Sequence, residues 1–211
     1  MNKVCIIALK YNEPEYQDTL ACIEKAGVPV TWAERDGVGN YSRAFNEAFF
    51  NRKAARYKYV WMISNITFTP MTLSRLVKSM ERTGYAALHP AMPGSDHRHQ
   101  WPDGSDEIRP AKFIEWTAPI VRSDVFLRNP LDTMLAYYYM DLAWSFEVQR
   151  LGYKVGVDHG AQVEHLYLRN RPDDHPVSVI RKQLRSYWTP ISRTHMENIY
   201  GPEWEHKMNW K

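Results

Sequence analysis

Up to Pro90, hydrophobic positions alternate between short unbroken runs and helical stripes. Val4-Cys5-Ile6-Ile7-Ala8-Leu9 is a continuous apolar run, the pattern of a strand buried on both faces. Asn12, Glu13 and Pro14 break it and open a helix in which Tyr16, Leu20 and Ile23 share a face, with Gly27 as the stop. Residues 28–33 read as a second strand. Tyr41, Ala44, Phe45, Ala48 and Phe49 fall at i, i+3, i+4, i+7 and i+8, which predicts a helix over 40–56. Residues 59–63 read as a third strand. Leu73, Leu76, Val77 and Met80 mark a third helix ended by Gly84, and residues 86–89 read as a fourth strand. This strand–helix alternation predicts an α/β fold: a parallel sheet with helices on both faces.

The rhythm changes after Pro90. Residues 91–110 hold three Pro and two Gly without periodicity, which predicts a long loop, functional or disordered. Residues 113–121 return to strand character. Leu142, Phe146 and Leu151 mark a helix over 139–151, capped by Gly152. Residues 153–157 and 161–165 read as two short strands around a turn at Asp158-His159-Gly160. A polar break at 170–174 leads to a helix near 177–187 and a Trp-rich C-terminal segment.

A length of 211 residues fits one domain, or one domain with a tail. The net charge of +3 is too small to imply a polyanionic partner. Basic residues recur after Arg169, the pattern of a solvated helix face that can also reach phosphates. Cys5 and Cys22 lack metal-ligand spacing and make a poor disulfide framework. Together with the lack of a signal-peptide pattern or an apolar run long enough to span a membrane, they point to a cytoplasmic protein. The eight Trp and thirteen Tyr suit a cleft for flat ligands such as bases and sugar rings.

Ligands of open α/β sheets sit beyond the carboxyl ends of the strands. The crevice is therefore expected at residues 9–12, 34–40 and 64–67. Gly37 and Gly39 let the backbone approach a ligand, but the spacing is neither a dinucleotide fingerprint nor a phosphate loop.

At these strand ends a resemblance emerges. Ile6-Ile7-Ala8-Leu9-Lys10-Tyr11-Asn12 resembles the opening strand and Thr-Tyr-Asn-like turn of inverting family-2-type glycosyltransferases. Gly39-Asn40-Tyr41-Ser42-Arg43-Ala44-Phe45-Asn46 resembles their Gly-x-x-x-Ala-x-Asn helix start. Tyr59 to Asn65 sits where they carry an apolar strand ending in Asp-x-Asp. Met140-Asp141, followed by Gly152-Tyr153-Lys154-Val155, sits where they carry a Glu-Asp pair, a helix and a Gly-Tyr-hydrophobic turn. Val163-Glu164-His165 matches their trailing valine-x-histidine. The order of five such elements over residues 3–168 carries the inference.

The resemblance implies a single GT-A-like, Rossmann-type domain over 1–168. Its nucleotide-sugar half spans about 1–90 and its acceptor half about 91–168, with a helical C-terminal extension over 169–211. It implies glycosyl transfer from a nucleotide-diphosphate sugar, a UDP- or dTDP-sugar in first place. The acceptor is a glycan, a protein, a small molecule or a modified nucleic-acid base, and the oligomeric state is open. Asp141 is the expected general base of an inverting transfer, since a carboxylate opening a helix after an apolar and aromatic run is partly desolvated. From the residues alone a helix cap is the better reading, and the resemblance shifts it to the base.

Donor binding is expected from Tyr11, Glu34, Asp36, Arg43, Asn46 and Asn65, and acceptor binding from Trp101, Trp116 and Thr117. Asn65 departs from the family pattern, because its neutral amide replaces the carboxylate that holds Mn²⁺ or Mg²⁺ against the diphosphate. Three readings stay open: a metal held weakly by Asn65 with His165, Arg or Lys on the diphosphate in place of a metal, or a sugar-nucleotide-binding domain without catalysis.

Overall fold

Val4–Leu9 forms β1, buried at every position, as its unbroken apolar run requires. The structure is a computed structural model that describes residues 3–10, 16–34, 39–51, 53–166, 174 and 176–208, except the side chains of Pro176, Val177 and Arg181. Tyr11 and Asp36 lie outside the described residues.

The other strands are β2 (Val30–Ala33), β3 (Tyr59–Ile63), β4 (Ile66–Thr67), β5 (Ala87–Ala91), β6 (Ile108–Pro110), β7 (Ile120–Arg122), β8 (Val155–Gln162) and β9 (Glu164–His165). The helices are α1 (Tyr16–Ala26), α2 (Tyr41–Asn51), α3 (Pro70–Thr83), α4 (Ser123–Arg128), α5 (Met140–Arg150), α6 (Pro176–Tyr200) and α7 (Trp204–Lys207). Seven strands pair in the order β2-β1-β3-β7-β5-β8-β6, and β4 pairs separately with β9. The pairs β1–β2, β1–β3 and β5–β8 are parallel, whereas β7 runs antiparallel to both its neighbours and β6 antiparallel to β8. The expected α/β sheet, mostly parallel and flanked by helices, is thus present, with β7 and β6 as its antiparallel strands.

The pleat divides the core between two faces. Cys5, Ile7, Leu9, Val60 and Met62 face Phe45 and Phe49 of α2 and Trp144 and Val148 of α5. Ile6, Ala8, Trp61 and Ile63 face Ile23 of α1 and Leu73, Leu76 and Met80 of α3. Thr69 caps α3 with a reciprocal capping box, and Gly84 ends it with φ of 66°, the left-handed value that favours glycine.

Four expectations change. The 40–56 helix ends at Asn51 and gives way to a 3₁₀ turn at Ala54–Arg56. The 91–110 loop contains a 3₁₀ turn at Arg98–Gln100 and strand β6. The 113–121 strand shrinks to β7, and residues 115–117 before it line the cleft. Asp158-His159-Gly160 is not a turn but the middle of β8. Buried Asp158 is neutralised there from α3, accepting from Arg75 Nε at 2.8 Å and from Ser79 Oγ at 2.5 Å. Gly160 leaves room for the Arg75 guanidinium, which a Cβ would strike.

The described C-terminal residues pack onto the rest. Met196, Trp204 and Met208 join Phe113, Leu135, Leu142 and Ala143 in a third apolar cluster, and the Trp204 ring lies 5.0 Å from that of Tyr139. Among the described residues no helix is long and apolar enough to cross a membrane.

Candidate active site

A cleft of about 560 Å³ opens at the carboxyl ends of β1 and β3. Leu9 ends β1, Ser64 follows β3, Thr117 precedes the antiparallel β7, and His165 ends β9, so all four reach the same rim. Ser64 donates through both its amide, at 2.9 Å, and its hydroxyl, at 3.3 Å, to the Thr117 carbonyl. Tyr41, Trp116 and Tyr137 to Tyr139 supply aromatic walls, and Asp96, His97, Glu115, Asp141, Arg185 and Thr189 supply the polar groups. A second hollow of about 500 Å³ lies at the opposite end of β3, where Arg122 is paired with Asp124 at 2.6 Å and Glu81 with Lys3. The end of the sheet where α/β folds bind ligands selects the first.

Asp141 enters the cleft from the first turn of α5. The residue before that helix, Tyr139, has φ of 66°, a left-handed conformation that is strained for a bulky side chain. That turn stacks Tyr137, Tyr138 and Tyr139 beside the carboxylate. Burial pushes the Asp141 carboxyl up to about 6, opposed by the amide of Leu142, which donates to Oδ1 at 2.9 Å. A group poised there is half ionised near the lower edge of physiological pH and accepts a proton readily above it.

Glu115 is a second buried carboxylate in the cleft that the sequence reading missed. Burial pushes it up to about 7, the charge of Asp141 adds to the shift, and the Ser95 hydroxyl, donating at 3.0 Å, opposes it. His97 Nε2 lies 3.6 Å from the same oxygen, but burial and the neighbouring His99 hold its ring below the usual histidine range. The available signal was a lone charge breaking the apolar run Phe113-Ile114-Glu115-Trp116.

Of the expected acceptor residues, Trp116 and Thr117 line the cleft. The Trp116 ring also packs 4.8 Å from Trp144, and its buried Nε1 lacks a partner. Trp101 lies outside, beside Pro102 and His159, with its indole donating to the Ser95 carbonyl at 2.6 Å.

Of the expected donor residues, Asn46 is a structural staple. Its Nδ2 donates to the Leu131 carbonyl at 2.7 Å, and its Oδ1 accepts from the Leu131 amide at 3.1 Å. Arg43 is exposed on α2, and Glu34 is exposed with Lys10 at 3.9 Å; neither lines the cleft.

Asn65 is fully buried and faces the other side of the sheet, where its Oδ1 accepts from Thr19 Oγ1 of α1 at 3.2 Å. Ser64 lines the cleft, whereas the bend after β3 turns both Asn65 and Ile66 to the α1 face that Trp61 and Ile63 cover. Asn65 therefore does not meet His165 as a ligand pair. The residue opposite His165 in the β4–β9 pair is Ile66. No group of three or more metal-binding side chains exists among the described residues, and the strand end at Ser64-Asn65-Ile66-Thr67 supplies no carboxylate to hold Mn²⁺ or Mg²⁺ beside His165.

Solved structures show the same architecture. At 9% identity, a TM-score of 0.60 relates the chain to GalNAc-T7 with UDP, GalNAc and Mn²⁺, covering 99% of this chain and 54% of that one. At 14% identity, TM-scores of 0.53 and 0.55 relate it to two structures of S. aureus TarS, one comprising residues 1–349. Each covers 98% of this chain, against 77% of TarS 1–349 and 47% of the other. The chain has the GT-A fold. It spans about half the length of GalNAc-T7. No protein-family model matches the sequence, and neither does any curated protein. Identity this low carries the GT-A fold and nothing of a particular donor or acceptor.

Proposed function

We propose that the chain transfers a glycosyl group from a UDP- or dTDP-sugar to an acceptor hydroxyl, with inversion and with Asp141 as general base. The observation that carries the reading is the position of Asp141. It is a desolvated carboxylate at a strained helix start, inside the aromatic cleft at the carboxyl end of a GT-A sheet. In the reaction Asp141 takes the acceptor proton as the acceptor oxygen attacks the anomeric carbon, and the bond to the diphosphate breaks on the opposite side. Trp116 and the Tyr137–Tyr139 turn provide flat faces for base or sugar rings. Glu115, at the edge of protonation near neutrality, is a hydrogen-bond partner for a sugar or acceptor hydroxyl. GalNAc-T7, which shares the fold, is crystallised with UDP, and this supports a uridine nucleotide as the first donor to test.

The test is release of free nucleotide from a panel of UDP- and dTDP-sugars with mixed acceptors. Asp141→Asn is expected to lower turnover by about 10²-fold or more while UDP still binds, as loss of a general base does. A full-rate variant removes Asp141 from the mechanism. Ser64-Asn65-Ile66-Thr67 contains no carboxylate, and this favours a second reading: a nucleotide-sugar-binding domain without turnover. UDP binding with no nucleotide release from any donor and acceptor pair selects it.

A further inference from the structure

We infer that Arg185 and Thr189, on one face of the C-terminal helix α6, hold the donor's diphosphate in this cleft in place of a divalent cation. The inference rests on the donor reading above and concerns how that donor's charge is met.

The cleft contains three carboxylates, Asp96, Glu115 and Asp141, so a diphosphate entering it needs a cationic anchor. The usual solution is not built here: Asn65 points to Thr19, Ile66 faces His165, and the described residues hold no metal-binding cluster. Among the described cleft residues Arg185 is the one permanent cation. Its guanidinium lies over the Tyr138 ring, 5.6 Å from the centroid, and makes no ion pair with a described carboxylate. A guanidinium stacked on a ring keeps its edge N–H donors free for a planar, bidentate hold on phosphate oxygens.

Thr189 is the independent observation. It lies one helical turn after Arg185, on the same face of α6, and also lines the cleft. Its hydroxyl is buried with no hydrogen-bond partner, although such groups are almost always paired. A phosphate oxygen supplies the acceptor it lacks. Leu184 of the same helix lies against Gly39 in the turn before α2. A Cβ there would approach Leu184 Cδ1 to 3.0 Å, and the φ of 71° at this position favours glycine.

The experiment is titration calorimetry of the full chain with uridine, UMP and UDP, in EDTA and again with Mn²⁺. The expected result is UDP binding in EDTA that Mn²⁺ leaves within about twofold, with affinity rising from uridine to UDP. Arg185→Gln is expected to weaken UDP by about tenfold or more, as loss of a charged hydrogen-bonding partner does, and to leave uridine unchanged. Arg185→Lys restores part of the loss, and Thr189→Val gives a smaller one. Arg185 is exposed, and a thermal melt of each variant verifies that it folds.

UDP binding that requires Mn²⁺ overturns the inference and leaves the donor reading standing. Equal losses for uridine and UDP in Arg185→Gln, or no loss for either, overturn the assignment of Arg185. Absence of UDP and dTDP binding by the unaltered chain, with or without Mn²⁺, overturns the donor reading and this inference with it.

Discussion

Replacing Asp141 by Asn is expected to make the protein more stable, and the gain is expected to depend on pH. Asp141 has an ordinary carboxyl value of 3.8 and is pushed up to about 6 by burial in the folded chain. A group whose folded value is raised contributes its full stability below 3.8 and loses it as pH rises through 6. The difference of 2.2 units corresponds to about 3 kcal/mol above pH 7. Asp141 is partly open to the cleft, and screening there reduces the gain to about 1–2 kcal/mol. Asn retains the oxygen that accepts from the Leu142 amide, so the helix start keeps its hydrogen bond. Only the buried charge is removed. Urea unfolding of both proteins at pH 8, 5 and 3.5 measures the effect. The variant should gain most at pH 8, about half as much at pH 5, and almost nothing at pH 3.5. A variant that is less stable than the parent, or whose gain does not change with pH, refutes a desolvated Asp141 and removes the physical basis for its role as base.

Two further outcomes test the fold. Gly160→Ala puts a Cβ into the Arg75 guanidinium and drives it from Asp158, a carboxylate with no exposed surface. Arg75 is itself 30% exposed, so the cost is expected near the low end for a broken buried pair, about 2–4 kcal/mol in urea unfolding; Ser79→Ala should cost less. Burial pushes the Cys5 thiol up to about 12, so a thiol reagent at pH 8 should modify partly exposed Cys22 in the native protein and reach Cys5 only on unfolding. Rapid native labelling of both cysteines would mean that β1 is not the buried strand described here.

The central strands were legible because burial on both faces leaves only apolar residues, and β1 and β3 need no tertiary knowledge to find. The α1 and α3 stripes and their glycine stops were legible for the same local reason. What failed depended on partners distant in sequence. Asp158 reads as a turn residue until Arg75 and Ser79, on α3, neutralise it. Glu115 reads as noise in an apolar run until burial in the cleft, with the charge of Asp141 adding to it, turns it into a perturbed carboxylate. Arg185 and Thr189 lie more than forty residues beyond Asp141, on a helix first read only as far as residue 187, and only its return over the cleft brings them to the site.

The metal question turns on the parity of one strand. Counting along Tyr59-Val60-Trp61-Met62-Ile63 brought Asn65 to the expected carboxylate position, but side chains alternate, and Val60 and Met62 fix Ser64 as the one that faces the cleft. The alternation ends there, because Ile66 is fully buried with Trp61 and Ile63 on the far face, paired with His165 in β4–β9. A carboxylate at 65 would therefore be buried against Thr19 rather than presented to a diphosphate, and Asn is the residue that this environment tolerates without an unpaired charge. The amide at 65 thus answers to its buried surroundings rather than to the cleft. The lack of a carboxylate at 64 and 66 says that the diphosphate's charge must be met from elsewhere in the cleft. The one described element that brings a permanent cation and an unsatisfied hydroxyl to it together is α6.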